Sequence, residues 1–116
     1  MVRYLIGLAM CIGVPVQAAS AQAAQPGAME LAQAHDRCMT TFAVRETKTD
    51  LPDNEIFAKA SSGCEALDTR LNAAIRAEYP ADKADELIAM LAAQAKPNFQ
   101  AMLGKIRNDR QRRAGN

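Results

Sequence analysis

Residues 28–64 read AMELAQAHDRCMTTFAVRETKTDLPDNEIFAKASSGC, and this stretch decides the fold. In its first half Ala28, Leu31, Cys38 and Phe42, with His35 in the same series, recur at steps of three and four. That is the period of a helix with one buried face; a half-buried strand would alternate every second residue. The pattern stops at Thr47-Lys-Thr-Asp-Leu-Pro-Asp53, a run of turn formers. There Asp50 or Asp53 is expected to cap the next helix and Pro52 to fit its first turn. A second helix then begins near Leu51 to Asn54, with Phe57, Ala60, Cys64, Leu67, Leu71 and Ala74 on one face and Ile75 alongside. Ser61-Ser62-Gly63 weakens it locally, the glycine by about 1 kcal/mol, without breaking the period.

Two helices joined by a short turn form an antiparallel hairpin, in which level residues have numbers of constant sum. Cys38 and Cys64 sum to 102, and so do Phe42 with Ala60, His35 with Leu67, Leu31 with Leu71 and Ala28 with Ala74. These are the face-lining residues read off each helix separately, and the midpoint, residue 51, falls in the turn. The expected consequence is a Cys38–Cys64 disulfide that staples the two helices across their buried faces. Closing a loop of this length stabilises the fold by roughly 3.5 kcal/mol on the chain-entropy model.

Beyond the hairpin, Glu78-Tyr79-Pro80 ends the second helix, because the residue before a proline is driven out of the helical region. A third helix opens at Pro80 or Ala81. Its stripe is Ala84, Leu87, Ile88, Leu91 and Ala95, resuming beyond Pro97 at Phe99, Met102, Leu103 and Ile106, and the series 84, 88, 91, 95, 99, 102, 106 keeps steps of four and three throughout. The expectation is therefore one helix kinked at Pro97 and not two independent ones. The fold class is all-α: a disulfide-stapled antiparallel helical hairpin plus a third, Pro-kinked helix. Composition agrees, since 24 alanines among 116 residues and no Trp argue against a β-sandwich or barrel.

Upstream, residues 1–4 carry Arg3, residues 5–16 are uncharged and apolar with Pro15 near the end, and a small-residue stretch follows. This is the layout of a secretory signal peptide, and the apolar run is well short of the roughly 20 residues of a spanning helix. Ala19 and Ala21 place cleavage after Ala21, within two or three residues, so residues 1–21 are the expected signal peptide. Cys11 follows Met10 in mid-run, which does not suit lipid modification. Residues 22–27 are an expected disordered lead, residues 28–106 the helical domain, and residues 107–116 a basic tail that frays. The mature chain then has about 95 residues and no transmembrane segment, and it resides in the periplasm or is secreted. Cys38 and Cys64 are its only cysteines, an even pair in an oxidising compartment.

Candidate chemistry is sparse. His35 and Cys38 share a helix face, with Cys64 opposite, so a metal site is conceivable; a disulfide consumes both thiols, and no carboxylate or second His sits in register. No metal or cofactor is expected, and His35 is read as a partly buried polar residue at the hairpin seam. Met29, Met39, Met90 and Met102 are dispersed and read as core filling. There is no nucleophile motif, phosphate-binding loop or Cys-x-x-Cys pair, so no catalytic residues are expected and the chain is read as not an enzyme. Residues 96–116 carry Lys96, Lys105, Arg107, Arg110, Arg112 and Arg113 against Asp109, a balance of +5 that the rest of the mature chain offsets with −5. Lys105, Arg107, Arg110, Arg112 and Arg113 are the candidate contacts to an anionic envelope surface or acidic partner. The same cations suit a helix C-terminus, whose dipole favours positive charge. Nucleic acid is not an expected partner, since no aromatics interleave with the basic residues.

A signal peptide, Cys38 to Phe42 on one helix, a loop with Asp and Pro, and Cys64 followed by Leu67 and Leu71 together resemble the small secreted or periplasmic two-cysteine helical proteins of proteobacteria. The resemblance spans about residues 28–80, rests on a loose motif, and implies no activity for particular residues. Periplasmic stress chaperones of the Spy and CpxP type are similar in size, export and helical class, but their Leu-Thr-x-x-Gln repeats are missing here. The functional expectation is an exported, non-enzymatic binding or envelope-interaction module whose partner is unknown. The alternatives are a periplasmic stress-type chaperone and a small metal-binding protein that uses His35.

Overall fold

A computed structural model describes residues 25–115 of the chain. The expected signal peptide, its cleavage site and residues 22–24 of the expected lead lie outside the described residues. Four helices follow in order: α1 (Ala28–Glu46), α2 (Asp53–Gly63), α3 (Glu65–Glu78) and α4 (Ala81–Ala114), with no strand among the described residues. The chain is all-α, and Cys38 and Cys64 are joined as a disulfide.

The contacts fix the directions of the helices. The N–H of Ala28, at the start of α1, donates to Glu78 Oε1 at the end of α3 (2.9 Å), while Cys38 is bonded to Cys64 midway. α1 therefore runs antiparallel to the α2–α3 leg. α4 returns parallel to α1: Ala84 packs with Ala28 and Leu31, and Leu103 packs with Met39 and Ala43.

Local chemistry sets the boundaries. Gly27 precedes α1 without a side-chain cap, and the Glu78 carboxylate serves one of the orphan N–H groups there. Thr47 and Thr49 close the other end by donating their hydroxyls to the carbonyls of Val44 (3.1 Å) and Glu46 (2.6 Å). Neither Asp50 nor Asp53 caps α2. Pro52 is its N-cap residue with extended backbone, and Asp53 is the first helical residue. The Asp53 carboxylate turns to Arg107 (Nη1–Oδ1 2.5 Å), because a guanidinium from α4 offers a charge-assisted bond there. Tyr79 is extended ahead of Pro80, as its position before a proline requires, and α4 begins one residue later.

The single second helix of the sequence reading is divided at Cys64, whose φ of −107° and ψ of 9° depart from helical values. Helical hydrogen bonding carries on through it, since Cys64 N–H donates to Ala60 O and Asp68 N–H to Cys64 O. Beside it stands Gly63. A Cβ there would stand 2.2 Å from Phe42 Cζ, so the ring of Phe42 occupies the space a side chain would need. Glycine was legible only as a weak helix former; its use is to let α1 approach.

α4 is one helix through Pro97, which is exposed, so the carbonyl left without its N–H partner has access to water. It also continues past Ile106 to Ala114, where a frayed tail was expected. Arg107 and Arg110 explain this. Beside the Arg107–Asp53 pair, Arg110 donates to Thr47 Oγ1 (3.0 Å) and to the Val44 carbonyl (3.2 Å), tying the end of α4 to the α1–α2 connection.

The core forms two clusters. One, next to the α1–α2 connection, holds Met39, Ala43, Ile56, Ala60, Cys64, Phe99 and Leu103; the other, next to the α3–α4 connection, holds Ala28, Leu31, Leu71, Ile75 and Ala84. Ile56 and Leu103 are fully buried; Leu103 belongs to the third-helix stripe read from sequence, whereas Ile56 lies outside the stripes. α1 buries a second line, Met39, Ala43 and Glu46, because it has two neighbours and not one. The methionines divide: Met39 is buried, Met102 half-buried, whereas Met29 and Met90 are exposed and fill no core. Both exposed ones sit on helix surface that no neighbouring helix covers.

Candidate functional site

The α4 stripe is continuous in sequence but buried only at its ends. Ala84 and Phe99 are buried; between them Ile88 is half-buried, Ala95 is exposed and Leu91 is 42% exposed. The cause is side-chain volume. At one end Ala84 lets α4 lie close to the hairpin, while at the other the Phe57 and Phe99 rings meet edge to face, centroids 5.5 Å apart. Between these fixed points Ala92 and Ala95 are too short to reach α1 and α3.

What remains is a cleft of about 600 Å³ between the three legs of the fold. Met39 from α1, Leu71 from α3, Ile88 and Leu91 from α4, and Phe57, Phe99 and Met102 give it an apolar lining. Its polar groups include His35 and Asp36 from α1, Asp68 and Asn72 from α3, and Gln94 and Asn98 from α4. Thr40 spans one end by donating its hydroxyl to Met102 Sδ (3.5 Å). Apolar walls with a few convergent polar groups are the usual make-up of a small-molecule site. A second depression, along Ala101, Lys105, Asn108 and Arg112, is lined by α4 alone and so lacks opposing walls.

His35 is half-buried and lies in the cleft wall. With Cys38 and Cys64 joined, neither sulfur is a thiolate ligand, and among the described residues no three His, Cys, Asp or Glu side chains are grouped to hold a metal ion. His35 thus lines the cleft, with no ligand set around it among the described residues.

The five candidate basic residues do not share a face. At the helical spacing of about 100° per residue, Arg107 and Arg110 lie on one side of α4 and Lys105 and Arg112 on the other. The first two are engaged with Asp53, Thr47 and Val44, and Arg112 pairs with Asp109 on its own helix. Among the described residues no helix is long and apolar enough to cross a membrane.

Sequence reasoning missed one charged group. The side chain of Glu46 is 4% exposed and bonded to Lys59 Nζ (2.9 Å) and Arg45 Nε (3.0 Å). The hydrogen bond from Lys59, then that from Arg45, holds its carboxyl below the ordinary Glu value, against the opposing effect of burial. Arg45 in turn lies over the Phe42 ring, 4.5 Å from its centroid. A signal was present: Glu46 and Lys59 sum to 105, close to the register that pairs the cysteines. This pair joins α1 to α2 and stands apart from the cleft.

Comparison with models of protein families, with curated proteins and with solved structures yields no match.

Proposed function

We propose that the chain is an exported, non-enzymatic binding module whose ligand lies in the cleft between α1, α3 and α4. The observation that carries this reading is the uncovered middle of the α4 stripe. Ile88 and Leu91 face about 600 Å³ of open space with Leu71 on the opposite wall, while both ends of the same stripe are packed. Apolar surface of this kind gains about 25 cal/mol for every Å² removed from water, so a ligand that covers it is held by the same force that folds the core. The joined cysteines suit an oxidising compartment, in keeping with export after removal of residues 1–21.

Titration with the neutral fluorophore N-phenyl-1-naphthylamine tests the reading. Saturable binding at one probe per chain is expected. Leu91→Gln, at a position exposed enough to spare the fold, weakens it, and Ala95→Phe, which fills the gap, abolishes it. Binding that does not saturate, or that both variants leave unchanged, refutes the cleft as the site. Mass analysis of protein recovered from the cell envelope tests export, with a chain starting at or near Gln22 expected and a full-length chain contradicting it.

A further inference from the structure

The charge pattern of the cleft narrows the class of ligand. Among the described residues, the only carboxylates lining it are Asp36 and Asp68, and no Lys or Arg lines it. The two numbers sum to 104, between the 102 of the disulfide and the 106 of the Ala28–Glu78 contact, so Asp36 and Asp68 stand level across the seam of α1 and α3. Neither takes part in an ion pair among the described residues, whereas Glu46, Asp53, Asp85, Glu86 and Asp109 each have a cation as partner. The wall below them is aliphatic, with Leu71, Ile88 and Leu91.

We infer that the cleft takes a small cationic amphiphile, with its aliphatic body against Leu71, Ile88 and Leu91 and its ammonium head between Asp36 and Asp68. This rests on the cleft being the binding site. The volume lies within the roughly 300–1,000 Å³ of small-molecule clefts. The head group follows from charge complementarity: two carboxylates on one rim repel an anionic head and attract a cation. Both aspartates are exposed, so the attraction is modest and salt-sensitive.

Calorimetric titration with decylammonium, decanol and decanoate, each below its micelle concentration, separates chain from charge. At low salt, decylammonium is expected to bind about five- to tenfold tighter than decanol, two exposed ion pairs supplying the difference. Decanoate is expected to bind more weakly than decanol. Asp36→Asn with Asp68→Asn should bring decylammonium to the affinity of decanol without altering decanol itself, and high salt should narrow the same gap. Equal affinity for decylammonium and decanol in the unaltered protein, or a gap that survives the double substitution, overturns the charge inference while decanol binding keeps the cleft. If none of the three binds, the cleft reading and the inference fall together.

Discussion

Replacing Gly63 by alanine should reverse its effect on stability according to what stands at residue 42. In a helix, alanine is more favourable than glycine by up to about 1 kcal/mol, so propensity alone predicts stabilisation. The tertiary structure opposes this. The added Cβ would lie 2.2 Å from Phe42 Cζ, 2.6 Å from Cε2 and 3.1 Å from Cε1, where carbon atoms prefer about 3.5–4.0 Å. The ring must withdraw by more than about 1 Å, and Arg45, 4.5 Å above it, must follow. Overpacking of this kind costs about 1–3 kcal/mol. Gly63→Ala is therefore expected to destabilise the protein by about 0.5–2 kcal/mol. With Phe42→Ala the obstacle is gone, and the same substitution should stabilise by a few tenths up to about 1 kcal/mol. Denaturant unfolding of the four oxidised proteins, followed by far-UV circular dichroism, gives the cycle directly. A coupling energy below about 0.5 kcal/mol, or stabilisation by Gly63→Ala with Phe42 in place, would refute the account of close approach.

Reduction of the Cys38–Cys64 bond, which spans a sequence separation of 26, should lower stability by roughly 3.5 kcal/mol, checked by denaturant unfolding with and without reductant. A mature protein whose mass does not rise by two hydrogens on reduction would contradict the bridge itself. Glu46 sets an acid limb. Its folded-state value is held below the ordinary 4.5, so its contribution is fully present above the unfolded value and is lost as pH falls through the folded one. Unfolding midpoints against pH should show this decline in the unaltered protein and a flatter one in Glu46→Gln, and superimposable profiles would count against the network. Arg107→Ala breaks a partly exposed pair with Asp53 and should cost under about 1 kcal/mol globally, yet hydrogen exchange in residues 107–114 should quicken. Unchanged exchange there would mean that the end of α4 does not depend on this tie.

Much of the fold was legible because helical periodicity and turn chemistry are local. The steps of Ala28, Leu31, Cys38 and Phe42 and the breaks at Thr47 to Pro52 and at Tyr79-Pro80 mark the legs without reference to any neighbour. Once two legs are known to be antiparallel, the register that joins Cys38 to Cys64 follows from numbering. The same register holds Glu46 against Lys59, but a carboxylate near a turn looks solvated until the helix that buries it is in place. The need for a glycine at residue 63 was illegible for a related reason, since it comes from Phe42, far away in sequence.

The sequence by itself determined that this is an all-helical chain, where it turns between its legs, and which cysteines meet, because these depend on bonds and spacings along the backbone. Only the tertiary structure decided that the apolar stripe of α4 is buried at Ala84 and Phe99 and open at Leu91. Periodicity says which side of a helix is apolar. Whether that side is covered depends on the distance between helix axes, set here by a small residue at one end, two aromatic rings at the other and short alanines between. The cleft, with Asp36 and Asp68 at its rim, exists because that distance is too large for the side chains in its middle to close.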